Sequence, residues 1–232
     1  MGTSGFGCPS LEKLTESEEV LAVVTQPDKP AGRGKRILPP PVKLLAEKKN
    51  IPVYQPQDIR ESSFTEEIAR LKPHLIVVVA FGKILPPQIF NIPRIFSINL
   101  HPSLLPRLRG PAPIPWAIIR GEPFTGVTVQ RITERVDEGE IILQEKIRIE
   151  PEDTCGTLTE KLSLLGAEVL LRAIQLIKEG KASLTPQDGE VSYAPRIRKE
   201  EGKINWEKPA REIHNLVRAL NPYPGAFTIF TW

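Results

Sequence analysis

The stretch INLHPSLLPRLRGPAPI, from Ile98 to Ile114, holds the residues of this chain best suited to chemistry. An apolar run stops at Asn99 and His101, then gives way to prolines, a serine, arginines and a glycine. If the run is a strand, side chains two residues apart leave the same face, so Asn99 and His101 address one space. A histidine near neutral pH accepts a proton, and an amide beside it donates to an oxyanion forming on a carbonyl carbon. Taken alone, such a pair more often does no more than close off the end of a sheet.

What surrounds the run decides how the pair is placed. VLAVVT (Val20 to Thr25), LIVVVA (Leu75 to Ala80) and FSINL (Phe96 to Leu100) are continuous β-branched runs, predicted to be buried strands. VKLLAEKK (Val42 to Lys49) and FTEEIARLK (Phe64 to Lys72) are amphipathic and predict helices between them. Strand and helix in alternation predict an α/β fold with a doubly wound, Rossmann-like, mostly parallel sheet. In such sheets ligands bind beyond the carboxyl ends of the strands, where Asn99 and His101 fall.

The second half reads differently. Gly126 to Ile132 and Glu140 to Ile149 predict an antiparallel hairpin joined by TERVDEG. Thr157 and Glu160 have capping-box spacing, and Leu158, Leu162, Leu165, Val169, Ala173 and Ile177 form the buried stripe of a long helix. After Ser183 the chain turns polar and basic. Residues 1–183 are therefore read as one domain and 184–208 as a surface linker. Residues 209–232 are read as the start of an incomplete, β-rich C-terminal domain, with REIHNLVRAL helical, NPYPG a turn and AFTIFTW a strand. GTSGFG begins at Gly2, and a glycine loop of this kind follows a strand, so a short apolar first strand is expected ahead of it. Its glycine spacing does not reproduce the dinucleotide fingerprint, which argues against a nicotinamide cofactor.

Composition excludes more than it assigns. A net charge of +3 is too small to imply nucleic acid by itself, and the two cysteines, Cys8 and Cys155, make no disulfide framework or metal cluster. No bound metal and a reducing, cytoplasmic setting are expected. One local feature stands out against this background. PDKPAGRGKRILPPP sets Arg33, Lys35 and Arg36 among glycines and prolines, a loop able to bring cations to a phosphate backbone.

Residues 99–113, NLHPSLLPRLRGPAP, resemble the signature of the 10-formyltetrahydrofolate-dependent formyltransferases, N-x-H-x-S-L-L-P-x-x-R-G followed by A-P. Pro102 and Pro111 depart from the small residues more usual there. The VDEGE stretch resembles the family's D-x-G segment, and VVVAFGKILP, PWAIIRGE, GVTV, EDTCGTL and NPYPGA extend the similarity along nearly the whole chain. TQPDKPAGRGKRILPPPVKLLAE is similar to the basic insertion of members that act on tRNA. The resemblance implies catalytic roles for Asn99, His101 and Asp137, and folate contacts from Ser103, Leu104, Leu105 and Pro106 through exposed backbone groups and apolar side chains. It implies tRNA contacts from Arg33, Lys35 and Arg36. The implied donor is 10-formyltetrahydrofolate and the implied acceptor is initiator methionyl-tRNA, formylated for translation initiation by a monomer. Glycinamide ribonucleotide, a nucleotide-linked amino sugar, or water in a formyltetrahydrofolate hydrolase would be alternative acceptors.

Overall fold

The computed structural model of the chain describes residues 1–31 and 36–229. A 3-10 turn at Gly5–Gly7 leads into α1 (Cys8–Ser17), β1 (Val23–Val24), β2 (Lys29–Ala31), β3 (Arg36–Leu38) and α2 (Pro41–Lys48). Next come β4 (Val53–Tyr54), α3 (Ser62–Arg70), β5 (Leu75–Val79), α4 (Pro87–Phe90), β6 (Phe96–His101) and α5 (Pro113–Ile119). The hairpin of β7 (Phe124–Arg131) and β8 (Ile141–Arg148), the long α6 (Cys155–Lys178), a second 3-10 turn at Lys199–Gly202 and α7 (Ala210–Ala219) complete the order.

The fold is α/β, with strands in the order β5-β6-β7-β8 in the main sheet. β5 and β6 run parallel, β7 and β8 add antiparallel, and β1 pairs with β4 in parallel beside them. Alternation along the strands separates two cores. Ile98 and Leu100 of β6, with Val127 and Val129 of β7, pack under α6 beside Leu158, Leu162, Val169 and Leu170. Ile76 and Val78 of β5 point the other way, against Phe64 and Ile68 of α3 and Ile89 of α4. Gly166 lets α6 lie close on the sheet, since a Cβ there would stand 2.8 Å from Leu100 Cδ2. That packing fixes Leu100, and with it the two polar residues flanking Leu100 on the opposite face.

Between β1 and β5 the sheet is bridged only at one end. The Gly2 N–H donates to the Val24 carbonyl at 2.9 Å, and the Val79 N–H donates to the Met1 carbonyl at 2.9 Å. Below that bridge a cavity of about 760 Å³ is lined by Leu11, Leu14, Leu21, Val23, Leu75 and Val77, among others. Of the expected strand Val20 to Thr25, only Val23 and Val24 find a ladder partner, in β4; Val20, Leu21 and Ala22 line this cavity alongside them without one.

Two further expectations are corrected. The box at the start of α6 is formed by Thr154 and Thr157, not Thr157 and Glu160. The Thr157 N–H donates to Thr154 Oγ1 at 3.2 Å, and the Thr154 N–H donates to Thr157 Oγ1 at 3.0 Å, so the helix begins one turn earlier. The strand expected from Ala226 is reduced to one parallel bridge between Phe227 and Lys203, while residues 230–232 lie outside the described residues.

The segment after α6 is exposed along most of its length but pinned at intervals. Thr185 and Ile141 exchange backbone hydrogen bonds of 2.8 and 2.9 Å at the start of β8. Farther on, the Arg109 N–H donates to the Ser192 carbonyl at 2.9 Å and the Ala194 N–H donates to the Arg109 carbonyl at 2.7 Å. Beyond it, α7 is tied back to the start of α6, where Arg218 donates to the Glu150 and Asp153 carbonyls at 3.2 and 3.0 Å.

Candidate active site at the end of strand β6

Asn99 and His101 share one face of β6, opposite Ile98 and Leu100. Their neighbours across the β6–β7 ladder are Gln130 and Thr128, which therefore share that face. His101 is buried and Asn99 only partly so. The hairpin loop folds back over this strand end and delivers Asp137. Oδ1 of Asp137 lies 3.6 Å from Nδ1 of His101. It also accepts from Gln130 Nε2 at 3.0 Å, while Oδ2 accepts from the Gly110 N–H at 2.9 Å. Asp137 has φ of 57°, the left-handed region that costs a non-glycine residue some strain, so surrounding contacts must hold it there.

The other imidazole nitrogen settles the tautomer. Nε2 of His101 lies 3.0 Å from the Leu108 carbonyl oxygen, which can only accept. Nε2 therefore carries a hydrogen, and in the neutral ring the lone pair is on Nδ1, facing Asp137. A proton arriving at Nδ1 would meet a carboxylate.

The Ser103–Pro106 loop follows directly. Three of its backbone groups, the Ser103 carbonyl and the Leu105 N–H and carbonyl, are bonded inward to the sheet rather than exposed. Thr128 Oγ1 donates to the Ser103 carbonyl at 2.6 Å and accepts from the Leu105 N–H at 3.2 Å. Gln144 Nε2 donates to Thr128 Oγ1 at 2.8 Å and to the Leu105 carbonyl at 3.0 Å. These polar β7 and β8 side chains satisfy the loop from below, so burying it leaves these groups paired. Of the four residues only Leu104 is partly exposed; Ser103, Leu105 and Pro106 are buried. Arg107 pairs with Glu122 at 2.6 Å and Lys83 donates to the Gln57 carbonyl at 2.9 Å. Arg33 and Lys35 lie outside the described residues, and Arg36 opens β3, which pairs with β2 at the base of that loop.

Sequence reasoning missed the residues that brace this centre. Thr128 and Gln130 could have been found from the two-residue period of β7, once its register with β6 was known. Arg109 lies inside the motif, yet an arginine is ordinarily read as surface; here it is buried, paired with Glu138 at 3.2 Å and bonded to Gln187. The cavity between β1 and β5 is lined by none of Asn99, His101 or Asp137. Among the described residues, no three His, Cys, Asp or Glu side chains gather as a metal site requires, and no helix is long and apolar enough to cross a membrane.

Known proteins resemble the chain along its whole length. The family model described as formyl transferase matches residues 7–174, and the one for the formyl transferase C-terminal domain matches residues 196–231. The chain is 49% identical, over all of its own length and 74% of the relative's, to the methionyl-tRNA formyltransferase of Pelotomaculum thermopropionicum. It is likewise 49% identical to the methionyl-tRNA formyltransferase of Clostridioides difficile, over 99% of this chain and 75% of that one. Among solved structures it is similar to an N-formyltransferase from Helicobacter canadensis in complex with folinic acid and dTDP-3-aminofucose. That likeness has a TM-score of 0.72 and 25% identity, covering 94% of this chain and 78% of the other. A 4-N formyltransferase from Francisella tularensis shares the fold, with a TM-score of 0.75 at 20% identity over 96% of this chain and 88% of the other.

Proposed function

We propose, for a chain that belongs to the formyl transferase family, transfer of a formyl group from 10-formyltetrahydrofolate to the amino group of methionyl-tRNA. The observation that carries the reading is the meeting of an amide, an imidazole and a carboxylate at one strand end. The acceptor is chosen by the relatives named for it, which match along the full chain. The donor supplies the formyl carbon.

The residues divide the work as follows. The acceptor amine adds to the formyl carbon, and Asn99 donates from its amide to the oxygen that gains charge. His101 receives the amine proton at Nδ1, where Asp137 offsets the charge. The carbon–nitrogen bond to the folate then breaks, and the folate nitrogen takes up a proton, giving formyl-methionyl-tRNA and tetrahydrofolate. Holding two groups on a packed strand and the third on a loop braced by Gln130 and the Gly110 N–H lowers the reorganisation this addition requires.

Folate contact at the Ser103–Pro106 loop falls to the partly exposed Leu104 side chain, with buried Ser103, Leu105 and Pro106 as its frame. An apolar face beside a strand end fits a flat heteroaromatic ring better than it fits a phosphate. Arg33, Lys35 and Arg36 are assigned to the tRNA from their sequence context.

The deciding experiment offers labelled donor with three acceptors in turn: methionyl-tRNA, glycinamide ribonucleotide and a nucleotide-linked amino sugar. Label is expected in methionyl-tRNA alone. Label in a small amine, or formate released with no acceptor present, would replace this reading.

A further inference from the structure

Gln187 is the one half-buried side chain in the otherwise exposed run from Ser183 to Val191. Its environment explains why. Its Oε1 accepts from Arg109 Nε at 3.1 Å and from Arg109 Nη2 at 2.7 Å. Its Nε2 donates to the Asp137 carbonyl at 2.8 Å, and it lies 2.9 Å from the Gly139 carbonyl and 3.2 Å from Gln130 Oε1. Both ends of the amide are thus in use, and every partner belongs to the hairpin loop, to its neighbour Gln130, or to the buried Arg109.

The same loop is gripped from the other side. Arg109 Nη1 pairs with Glu138 at 3.2 Å, and Gln130 Nε2 reaches the Asp137 carboxylate at 3.0 Å. Thr185, two residues before Gln187, is fastened to Ile141 by two backbone bonds, which fixes where the amide arrives. The loop it meets contains a strained residue: Asp137, at φ of 57°. A non-glycine residue keeps such a conformation only when its surroundings over-determine it.

We propose that Gln187, in the segment connecting the two domains, is a positioning residue for formyl transfer, acting through Asp137 and touching no substrate. The claim rests on the reaction proposed above. It requires the amide in particular. A glutamate at 187 would keep the pair with Arg109 but turn a carboxylate oxygen toward two carbonyl oxygens, where only a donor fits. The connection between the domains would then be a part of the catalytic domain's machinery rather than a tether.

Single-turnover transfer to methionyl-tRNA is measured for the parent, Gln187→Ala and Gln187→Glu, each also in an Asp137→Asn background. In the parent background both variants should lose about 10- to 100-fold in rate, the scale of small misplacements in a reacting centre. Their apparent constants for folate and tRNA should stay within about two-fold, since a positioning loss falls on turnover. In the Asp137→Asn background either change should cost under about two-fold, because residues acting as one unit are not additive. Equal losses in both backgrounds would mean a general structural role and overturn the proposal. A Gln187→Glu protein as fast as the parent would overturn it too, since donation would then be unnecessary. A parent that formylates no acceptor would instead sink the reaction, and this role with it.

Discussion

Nδ1 of His101 faces Oδ1 of Asp137 at 3.6 Å because Nε2 of the same ring is already committed to the Leu108 carbonyl at 3.0 Å. The ring is thereby oriented with its open lone pair toward a carboxylate, and a transferred proton would complete a charge-assisted hydrogen bond. Asp137→Asn should lower turnover by about 100-fold or more, the range in which positioned acid–base partners act. Asn99→Ala should cost about 10²–10³-fold, the effect of removing one oxyanion donor. Apparent constants for folate should change little in either variant. Rates within a few-fold of the parent would withdraw both assignments.

Which parts of the site are legible in the sequence follows from which interactions are local. Asn99 and His101 are legible because a β-branched run implies a strand, and a strand's two-residue period puts them together. Asp137 is legible from the resemblance of VDEGE to a D-x-G segment, on a polar loop that the predicted hairpin sets close to the strand end. Gln187 is not. Its partners lie 50 and 78 residues away, and nothing periodic marks it within a polar run. Arg109 fails for the opposite reason: its charge predicts solvent, and only Glu138 and Gln187 together make its burial tolerable. The shortness of β1 is hidden as well, because a strand needs ladder partners and a run of valines reveals none.

The glycine of the D-x-G segment has a steric reason to be there. A Cβ on Gly139 would lie 1.7 Å from the Arg131 carbonyl oxygen, and that backbone is held close by the Arg131 N–H donating to the Glu140 carbonyl at 2.9 Å. Gly139→Ala must therefore open the base of the hairpin. It should cost about 1–3 kcal/mol, as overpacking does, and should lower turnover together with melting temperature because Asp137 sits two residues away. Thermal denaturation alongside the transfer assay checks this. An alanine variant with the parent's melting temperature would show that the strands are not so close.

The basic loop calls for a test of binding rather than of chemistry. Arg33→Ala should raise the apparent constant for tRNA and leave that for folate alone, since a cation on a phosphate serves one substrate. Taking one cation off the phosphate backbone should also reduce the dependence of log affinity on log salt by about one. Titrations at several salt concentrations measure that slope. An unchanged slope, with an unchanged tRNA constant, would make Arg33 an ordinary surface cation.

Asp153 gives the fold a predictable response to acid. Burial by itself would push its carboxyl up, but hydrogen bonds from Lys161, the Glu150 N–H and Thr157 outweigh that, and the group is held below its usual range. The partners are close, with Lys161 Nζ at 2.7 Å, the Glu150 N–H at 2.8 Å and Thr157 Oγ1 at 3.0 Å. A carboxyl that ionises more readily folded than unfolded stabilises the fold above its unfolded value of about 3.9, and that stabilisation is lost as pH falls through the folded value. Since Asp153 caps the turn from which α6 starts and which Arg218 of α7 grips, the loss should be felt across both elements. At pH 7, Asp153→Asn should be less stable than the parent by about 1.5–3 kcal/mol, the scale of hydrogen bonds to a charged group. Urea midpoints followed downward from pH 7 should draw together for the two proteins as the parent's carboxyl protonates. A gap of constant size down to pH 3 would mean that the carboxyl's charge contributes nothing.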